Sequence, residues 1–332
     1  MFEVYVGIDI AAKSLSIYWQ DIRTEQTGQM TLAQSPSDFK RLHQTLSQIV
    51  ATEHIHIVME ATGNYWLKLA LYLHEQGYCV SVINPMQAKR FGQMQLKRTK
   101  TDAVDAQLLS DFARLIRPEP WTPSPAICHQ LRHLLERRDD VLKMATQERN
   151  RLHALQHDPH APTAILSQIK RHVATLKRQA KQLLAQIEAL LASDSQWQQA
   201  AQHLLSIPGI GTVTAAWLLV TTHAFTRCDT PQQAAAYAGL VPHHRQSGRS
   251  LHKRSTIGGG HPKLRQALYM AAGAAIQFNP TLKAFFNKKV DQGKIKQVAR
   301  IAVARKLIHL AWACVVKHRD YNPVYPLLTH VA

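Results

Sequence analysis

Val4-Tyr5-Val6-Gly7-Ile8-Asp9 is an apolar run that ends on a carboxylate, and Ile55-His56-Ile57-Val58-Met59-Glu60 repeats the pattern. Short apolar runs rich in β-branched residues predict buried strands. Each strand therefore delivers one acidic side chain, Asp9 or Glu60, at its end. Carboxylate oxygens are the ligands that Mg²⁺ binds in proteins, so these strand ends are candidates for a metal site.

A second pair of acids, Asp102 and Asp105, lies in segment 101–116, which the pattern predicts to be helical. Their i, i+3 spacing places them on one helix face. Taken alone, Asp102 is also explained as an acid stabilised by the dipole at a helix N-terminus. Together with Asp9 and Glu60, however, the pair can converge on a divalent metal.

The charge balance identifies the expected partner of such a site. The chain carries 40 Lys and Arg against 22 Asp and Glu, a formal net charge of +18. An excess of this size is typical of proteins that bind nucleic acid. Four acids gathered in so basic a chain suggest Mg²⁺ chemistry on a phosphate polymer.

The order of the predicted elements gives the fold class of the first 120 residues. Three strands are followed by alternating helices and strands, which is the order of a ribonuclease-H-like α/β domain. That fold places carboxylates at the end of the first strand, on the fourth strand and on the last helix, as here. The predicted strands are Val4–Ile10, Leu15–Gln20, Gly28–Leu32, 55–60 and 78–83. The first predicted helix is capped by Ser35 or Ser37 and runs through Ile49, and two further helices span 64–76 and 101–116.

Four prolines between 118 and 125 mark a linker, after which residues 127–200 are predicted to form long helices. Apolar residues alternate at spacings of four and three, which indicates a coiled-coil seam. The seam predicts a helical hairpin or an antiparallel coiled coil, within one chain or between two. Its residues are Ile169, Val173, Leu176, Ala180, Leu183, Ile187 and Leu190.

The last region, 201–332, is predicted to be mostly helical. Residues 204–211 contain Pro208-Gly209-Ile210-Gly211, a helix-hairpin-helix pattern. In that element Gly209 and Gly211 would let backbone N–H groups approach a DNA phosphate. A structural turn between two core helices is the alternative.

Residues 243–265 form the densest basic stretch, and helices are predicted to resume at Lys263–Phe278 and Lys294–His318. Before them we expect a glycine- and serine-rich loop whose cations lack acidic partners and contact phosphates. Ser247 lies between Arg245 and Arg249, so its hydroxyl is a candidate nucleophile toward phosphorus. Ser250 and Ser255 are nearly as plausible from the residues alone. The other candidate phosphate contacts are Lys97, Arg98, Lys100, Lys253, Arg254, Lys263 and Arg265.

Two function classes are disfavoured. No apolar run approaches the roughly 18 residues that a membrane span needs, and the first residues lack the basic start of a signal peptide. The four cysteines are far apart without a CxxC pair, which argues against a disulfide framework and a zinc site and favours a reducing cytoplasm.

Seven segments resemble, in the family's order, the insertion-sequence transposases of the "110" family, and the resemblance extends over nearly the whole chain. Four resemble its Holliday-junction-resolvase-like DEDD domain, and three resemble its C-terminal transposase domain. The first four are GIDIAAKSLSIYW (7–19), MEATGNYW (59–66), VINPMQAKRF (82–91) and KRTKTDAVDAQLLSDFARL (97–115); the others are IPGIGTVTAAWLL (207–219), AAYAGLVPHHRQSG (235–248) and GHPKLRQALYMAA (260–272).

The resemblance implies a site-specific DNA recombinase that moves its own element. It implies that Asp9, Glu60, Asp102 and Asp105 bind Mg²⁺ and that Ser247 becomes covalently attached to DNA. It further implies a structured guide RNA that pairs with donor and target DNA, and dimers that assemble into tetramers. The expected setting is the bacterial cytoplasm, with nucleoid association during activity. The implied domains are 1–120 (DEDD), 127–200 (coiled coil) and 201–332 (serine domain).

Four alternatives remain open at this point. A junction-resolving metal nuclease would use water and leave the C-terminal half unexplained, whereas a pilin-gene invertase shares all the motifs. A sugar-kinase-like phosphotransferase would need a duplicated domain and further glycine-rich loops. A non-enzymatic architectural DNA binder would not need the four carboxylates.

Overall fold

The computed structural model describes residues 2–96, 101–247 and 251–323, with the backbone alone for residues 243–247 and 251–255. The chain divides into two compact units, Met1–Pro123 and Ser124–Ala332. The boundary falls within the run of prolines. The further division into 127–200 and 201–332 stays a prediction.

The N-terminal unit is built on a five-stranded sheet of order β3-β2-β1-β4-β5. β1 pairs antiparallel with β2 and parallel with β4, and β4 pairs parallel with β5. The strands are β1 Val4–Ile10, β2 Ser14–Asp21, β3 Thr27–Ala33, β4 Ile55–Glu60 and β5 Cys79–Ile83; the helices are α1 Pro36–Ser47, α2 Leu67–Glu75, α3 Pro85–Met94 and α4 Asp102–Ile116.

Side chains of β1 alternate between two apolar layers, as the period of a strand requires. Val6 and Ile8 belong to a cluster that contains buried residues of α1 and α2, such as Leu42 and Leu69. Tyr5 belongs to a second cluster, which contains buried residues of α3 and α4. The sheet is therefore the middle layer of a mixed α/β unit.

The predicted strands and helices of this unit are confirmed to within a few residues, except that α3 was not predicted. Asn84 caps α3 by accepting from the N–H of Met86, Pro85 occupies the first turn, and the Gln87 side chain accepts from the N–H of Asn84. This capping box is legible in the sequence as Asn-Pro-Met-Gln. The apolar pattern does not predict α3, because the helix has only ten residues and the segment around it is polar.

The C-terminal unit is mostly helical. Its described helices are α5 Ala126–Gln156, α6 Thr163–Ala192, α7 Ser195–Leu205, α8 Thr212–Thr222, α9 Pro231–Tyr237, α10 Pro262–Phe278, α11 Pro280–Asp291 and α12 Lys296–Val316; its strands are β6 Pro242–Ser247 and β7 Leu251–Ile257. None of the helices in the part of the chain that the structure describes is long and apolar enough to cross a membrane.

Helices α5 and α6 form the helical hairpin that the apolar seam predicts. Val141 of α5 shares a buried cluster with Leu176 of α6. Leu131, near the start of α5, shares the main core with Leu191, near the end of α6. The start of one helix thus lies beside the end of the other, so the pair is antiparallel. Association between chains stays a prediction.

The expectation of a loop between residue 243 and the helix predicted from Lys263 is wrong, because strands β6 and β7 pair antiparallel there. The helix predicted from Lys263 is confirmed as α10, which begins at Pro262. The sequence hid the hairpin because residues 243–255 are almost entirely polar, so no apolar alternation marks a core-facing side.

Candidate active site and nucleic-acid contacts

Asp9 and Glu60 lie side by side at one edge of the sheet. β1 and β4 run parallel with Ile8 opposite Met59, so the next residues along each strand, Asp9 and Glu60, are neighbours. Both are half-buried. The Thr62 hydroxyl donates a hydrogen bond of 2.6 Å to a carboxylate oxygen of Glu60. The structure therefore brings the two strand-end acids together.

Helix α4 approaches β1 so closely at Gly7 that a side chain has no room there. A Cβ on Gly7 would lie 2.0 Å from the carbonyl oxygen of Ala106 and 2.3 Å from the amide nitrogen of Ser110. Backbone therefore rests on backbone, which only glycine allows. Asp9 follows two residues later on the same face of the strand.

Hydrogen bonds fix the direction in which α4 runs across the sheet. The Ser110 hydroxyl donates to the carbonyl oxygen of Tyr5 at 2.8 Å, and the Gln20 amide donates to Ser110 Oγ at 2.8 Å. Because Ser110 lies over Tyr5 and Ala106 lies over Gly7, the first turn of α4 lies toward Asp9. That turn carries Asp102 and Asp105.

The electrostatics of Asp9 reflect these neighbours. The pKa of the Asp9 carboxyl is raised from 3.8 to about 6, first by burial and then by the charges of Asp105, Asp102 and Glu60; a hydrogen bond from the N–H of Ile10 opposes the shift. A carboxylate surrounded by like charge is held more readily when a cation offsets that charge. In this respect the four residues fit a divalent metal.

Proximity does not amount to a finished coordination shell. Among the described residues, no three His, Cys, Asp or Glu side chains are gathered closely enough to hold a metal ion together. The charges of Asp105, Asp102 and Glu60 act on Asp9, but Asp102 is exposed to solvent. Holding one ion would require the carboxylates to move closer to each other.

The candidate nucleophile Ser247 is the last residue of β6, and its backbone pairs with Leu251 of β7. Arg245 stands opposite Lys253 in the same register. Arg254 and Ser255 lie within β7. The predicted contacts Lys97, Arg98, Lys100 and Arg249, and the alternative nucleophile Ser250, lie outside the described residues.

The helix-hairpin-helix pattern corresponds to α7, a turn and α8, but its two glycines differ. Gly209 has a φ of +106°, and a Cβ there would lie 2.6 Å from the backbone nitrogen of Ala275 in α10. Close packing therefore explains Gly209 without a phosphate. Gly211 caps α8 and is exposed, with nothing within 4 Å of the Cβ position. It stays the better candidate for a phosphate contact.

Two of the predicted basic contacts have partners within the protein. Lys263 Nζ lies 2.9 Å from Asp139 Oδ2 on α5, so the expectation that cations in this stretch lack acidic partners is wrong for Lys263. The acid is 124 residues away in sequence, which is why local inspection missed it. Arg265 donates to the carbonyl oxygen of Gly259 at 2.6 Å.

A positive cluster that the sequence did not reveal lies where α5 and α8 meet. The pKa of His223 is lowered to about 4, first by burial and then by the charges of Arg227, Arg132 and His129. His223 Nε2 lies 3.3 Å from Ser124 Oγ. His223 is therefore neutral at neutral pH, and the two arginines supply the field. No local motif could have shown this cluster, because its members come from distant segments.

Comparisons with known proteins match both units. Residues 6–158 match the model of the DEDD transposases of the IS110 type, and residues 201–287 match the model described as transposase, IS116/IS110/IS902 family. The pilin gene-inverting protein of Moraxella bovis is 31% identical over 97% of this chain and 98% of its own length. The transposase for insertion sequence element IS1328 of Yersinia enterocolitica is 25% identical over 92% of this chain and 95% of its own length.

A shorter match is to the insertion element IS110 uncharacterized 43.6 kDa protein of Streptomyces coelicolor, 31% identical over 45% of this chain and 36% of that protein. These matches define an enzyme that recombines DNA, of the transposase class. The chain belongs to the IS110 family of transposases. The DEDD type of its first domain is associated with divalent metal, in agreement with the acids around Asp9.

Proposed function

We propose that this transposase cuts and rejoins DNA by Mg²⁺-dependent transesterification through a phosphoserine intermediate. The observation that carries the proposal is the placement of the four acids: Asp9 and Glu60 end neighbouring parallel strands, and the first turn of α4, which carries Asp102 and Asp105, lies toward Asp9. The strand order β3-β2-β1-β4-β5, with the acids at the ends of β1 and β4 and on α4, supports a ribonuclease-H-like assignment for this unit.

In this proposal the four acids Asp9, Glu60, Asp102 and Asp105 hold the metal. Their oxygens suit Mg²⁺, which prefers carboxylates and water. When bound, the metal offsets the negative charge that develops on the phosphate being transferred. Asp9 must be ionised to act as a ligand, so metal binding is expected to weaken as the pH falls through about 6.

Ser247 supplies the nucleophile in this proposal. Its Oγ forms a bond to phosphorus, the bond from phosphorus to one deoxyribose oxygen breaks, and the serine proton passes to that oxygen. A DNA hydroxyl then attacks the phosphoserine and restores the serine. Bond energy is conserved through both steps, so no nucleotide triphosphate is consumed. Arg245 and Arg249 flank the serine in sequence and are the proposed donors to the non-bridging oxygens.

The proposed partners are donor and target DNA, a structured guide RNA, and further copies of the chain as a dimer that assembles into a tetramer. The net charge of +18 is compatible with DNA and RNA as partners, and the α5–α6 hairpin is compatible with association between copies of the chain. DNA inversion is a second candidate outcome of the same chemistry. It is favoured by the pilin gene-inverting relative, which aligns over nearly the full length of both chains.

A suicide-substrate trap tests the mechanism. The protein is incubated with DNA substrates from which the strand needed for religation dissociates after cleavage. The products are then separated under denaturing conditions. The wild-type protein should leave a protein–DNA adduct, and Ser247→Ala should not. Asp9→Asn should also give no adduct, because the metal site is lost.

The serines nearby serve as matched controls. Ser250→Ala and Ser255→Ala should retain the adduct. An adduct that survives Ser247→Ala and disappears with one of these two variants would move the nucleophile. Cleavage that leaves no adduct in any variant would replace the serine mechanism by hydrolysis with water. Plasmids with inverted sites separate inversion from insertion.

A further inference from the structure

A pocket of about 340 Å³ opens in the C-terminal unit among α10, α11 and α12, away from strands β6 and β7 in sequence. Its volume lies in the range of small-molecule sites, about 300–1,000 Å³. Ile276 and Phe286 give it an apolar wall, while Lys296 and Arg300 supply positive charge. Neither the DEDD chemistry nor the serine hairpin uses these residues.

Arg300 is held in a defined position at this pocket. Its guanidinium lies 4.1 Å from the centre of the Tyr269 ring, and its Nε donates to the Tyr269 carbonyl oxygen at 2.9 Å. Within the described residues, its Nη atoms form no hydrogen bond or ion pair with protein. A planar guanidinium stacked on an aromatic ring presents its remaining N–H groups to an incoming acceptor.

Gly273 makes this position possible. It lies in the middle of α10, where glycine is normally unfavourable. A Cβ at this residue would lie 2.4 Å from Arg300 Nη2 and 2.9 Å from Arg300 Cζ, so any larger residue would displace the guanidinium. Alanine would stabilise this helix more than glycine does, but the Arg300 guanidinium occupies the space that a Cβ at residue 273 would need.

The charge around the pocket selects the class of ligand. Asp291 is the single acidic residue of the sequence between 230 and 319, whereas Lys and Arg recur throughout that stretch. Lys289 and Lys306 lie 5.6 Å and 4.6 Å from the ring centre of Phe285, the neighbour of Phe286. An anionic ligand that also has a flat apolar part satisfies both the cations and the apolar wall.

We propose that this pocket binds one unstacked nucleotide of the nucleic-acid substrate, with its phosphate on Arg300 and Lys296 and its base against Ile276 and Phe286. A nucleotide in a duplex presents no free base face, so the site favours a single strand or a distorted end. Aromatic and guanidinium surfaces receive such bases in many single-strand-binding proteins. The inference rests on the proposed function only in taking nucleic acid as the partner.

Binding of short oligothymidylate and oligouridylate to the full-length chain tests this site in buffer with EDTA, so that metal chemistry is not involved. Arg300→Gln should weaken binding of the oligonucleotide that occupies the pocket about tenfold, the loss expected for one charge-assisted contact to a phosphate. Lys283→Gln removes the same charge from an exposed position of α11 outside the pocket and should remain near wild type. A loss of affinity confined to oligothymidylate assigns the pocket to DNA, and a loss confined to oligouridylate assigns it to RNA.

Gly273→Ala separates positioning from folding. Alanine favours the helix, so thermal stability should hold or rise while oligonucleotide binding falls. Oligonucleotides with a photoreactive 4-thio base should cross-link wild-type protein at Tyr269 or Phe286. Unchanged affinity in both Arg300→Gln and Gly273→Ala, or cross-links only outside α10–α12, would overturn the proposal and leave Arg300 as a structural pin. None of these results depends on whether Ser247 forms an adduct.

Discussion

The sheet edge around Asp9 and the pocket at Arg300 place functional groups by the same device but with opposite charge. In each, a glycine within a regular element removes a side chain so that a neighbouring helix can come close. At Gly7 the neighbour is the backbone of α4, which sets the spacing between acids. At Gly273 it is the guanidinium of Arg300. The acids are thus positioned by contact between main chains, whereas the cation is itself a side chain, held by the ring and the carbonyl oxygen of Tyr269.

This difference predicts that the acidic edge tolerates change less than the basic surface. Four like charges near one point repel each other and demand a cation, whereas each basic contact contributes independently to phosphate binding. Loss of one acid should therefore abolish a reaction. Loss of one cation should only weaken an affinity.

The largest expected effect is that of Asp9→Asn on recombination. Asparagine keeps the shape but loses the charge, and metal stabilisation of the transferring phosphate contributes several kcal/mol, so the rate should fall about a thousandfold or more. DNA binding should stay near wild type. Glu25→Gln, an exposed acid of the same unit, should recombine normally. Near-normal recombination by Asp9→Asn would remove the sheet edge from the mechanism.

Gly7→Ala should produce the next largest effect, on stability. The added Cβ meets the carbonyl oxygen of Ala106 at 2.0 Å, and backbone cannot rotate out of the way. Overpacking of this kind costs about 1–3 kcal/mol, measurable by denaturant unfolding. Gly211→Ala is the matched control, because nothing lies within 4 Å of its Cβ position. Equal stability of the two variants would refute the close approach of α4.

A smaller effect is expected from Asp9→Asn on stability without metal. The folded pKa of Asp9, about 6, exceeds its ordinary value of 3.8, so the folded state binds the proton more tightly than the unfolded state does. Ionisation of Asp9 therefore destabilises the fold increasingly between pH 4 and 6, and the full cost is present above pH 6. With solvent screening, Asp9→Asn should gain on the order of 1 kcal/mol at neutral pH and nothing below pH 3.8.

Thermal melts in EDTA across this pH range measure the gain. Added Mg²⁺ should raise the melting temperature of the wild-type protein more than that of the variant, since it binds the ionised acid. A variant less stable than wild type at pH 7 would contradict the crowding of acids.

The smallest effect concerns Lys263 and Asp139. Their ion pair is partly exposed, so Lys263→Gln should change stability by less than about 1 kcal/mol. Asp139→Asn frees the lysine and should strengthen DNA binding slightly, whereas Lys263→Gln should weaken it and lower the salt slope by about one. Identical DNA affinities for both variants and wild type would confine Lys263 to a structural role.

The elements that bear acids were predictable because strong local patterns mark them. Two apolar runs ending at Asp9 and Glu60, and the i, i+3 spacing of Asp102 and Asp105, required no knowledge of distant residues. The close approach at Gly7 was not predicted, although glycine inside a strand is compatible with it. Which segment approaches was legible only in the structure, since Ala106 is far along the chain.

The basic features were harder to predict because their meaning depends on partners remote in sequence. The local sequence around Lys263 contains no acidic partner, and only the structure shows that Asp139 pairs with it. Arg132 and Arg227 act together on His223 although nearly a hundred residues separate them. The hairpin at 242–257 shows a further limit. Strands without an apolar side lack the periodicity on which sequence inference depends.

The contact at Gly7 also has a consequence for motion. Side-chain packing permits changes between rotamers, but the approach of α4 to β1 is main chain against main chain and has no rotamers to exchange. Local opening there must lift the helix and break the Ser110–Tyr5 hydrogen bond at the same time. Amide hydrogens in the middle of α4 should therefore exchange with deuterium only in large, cooperative openings. The main-chain positions of β1 and α4 that carry acids are then held before substrate arrives, and only the carboxylate side chains have to move to hold one ion.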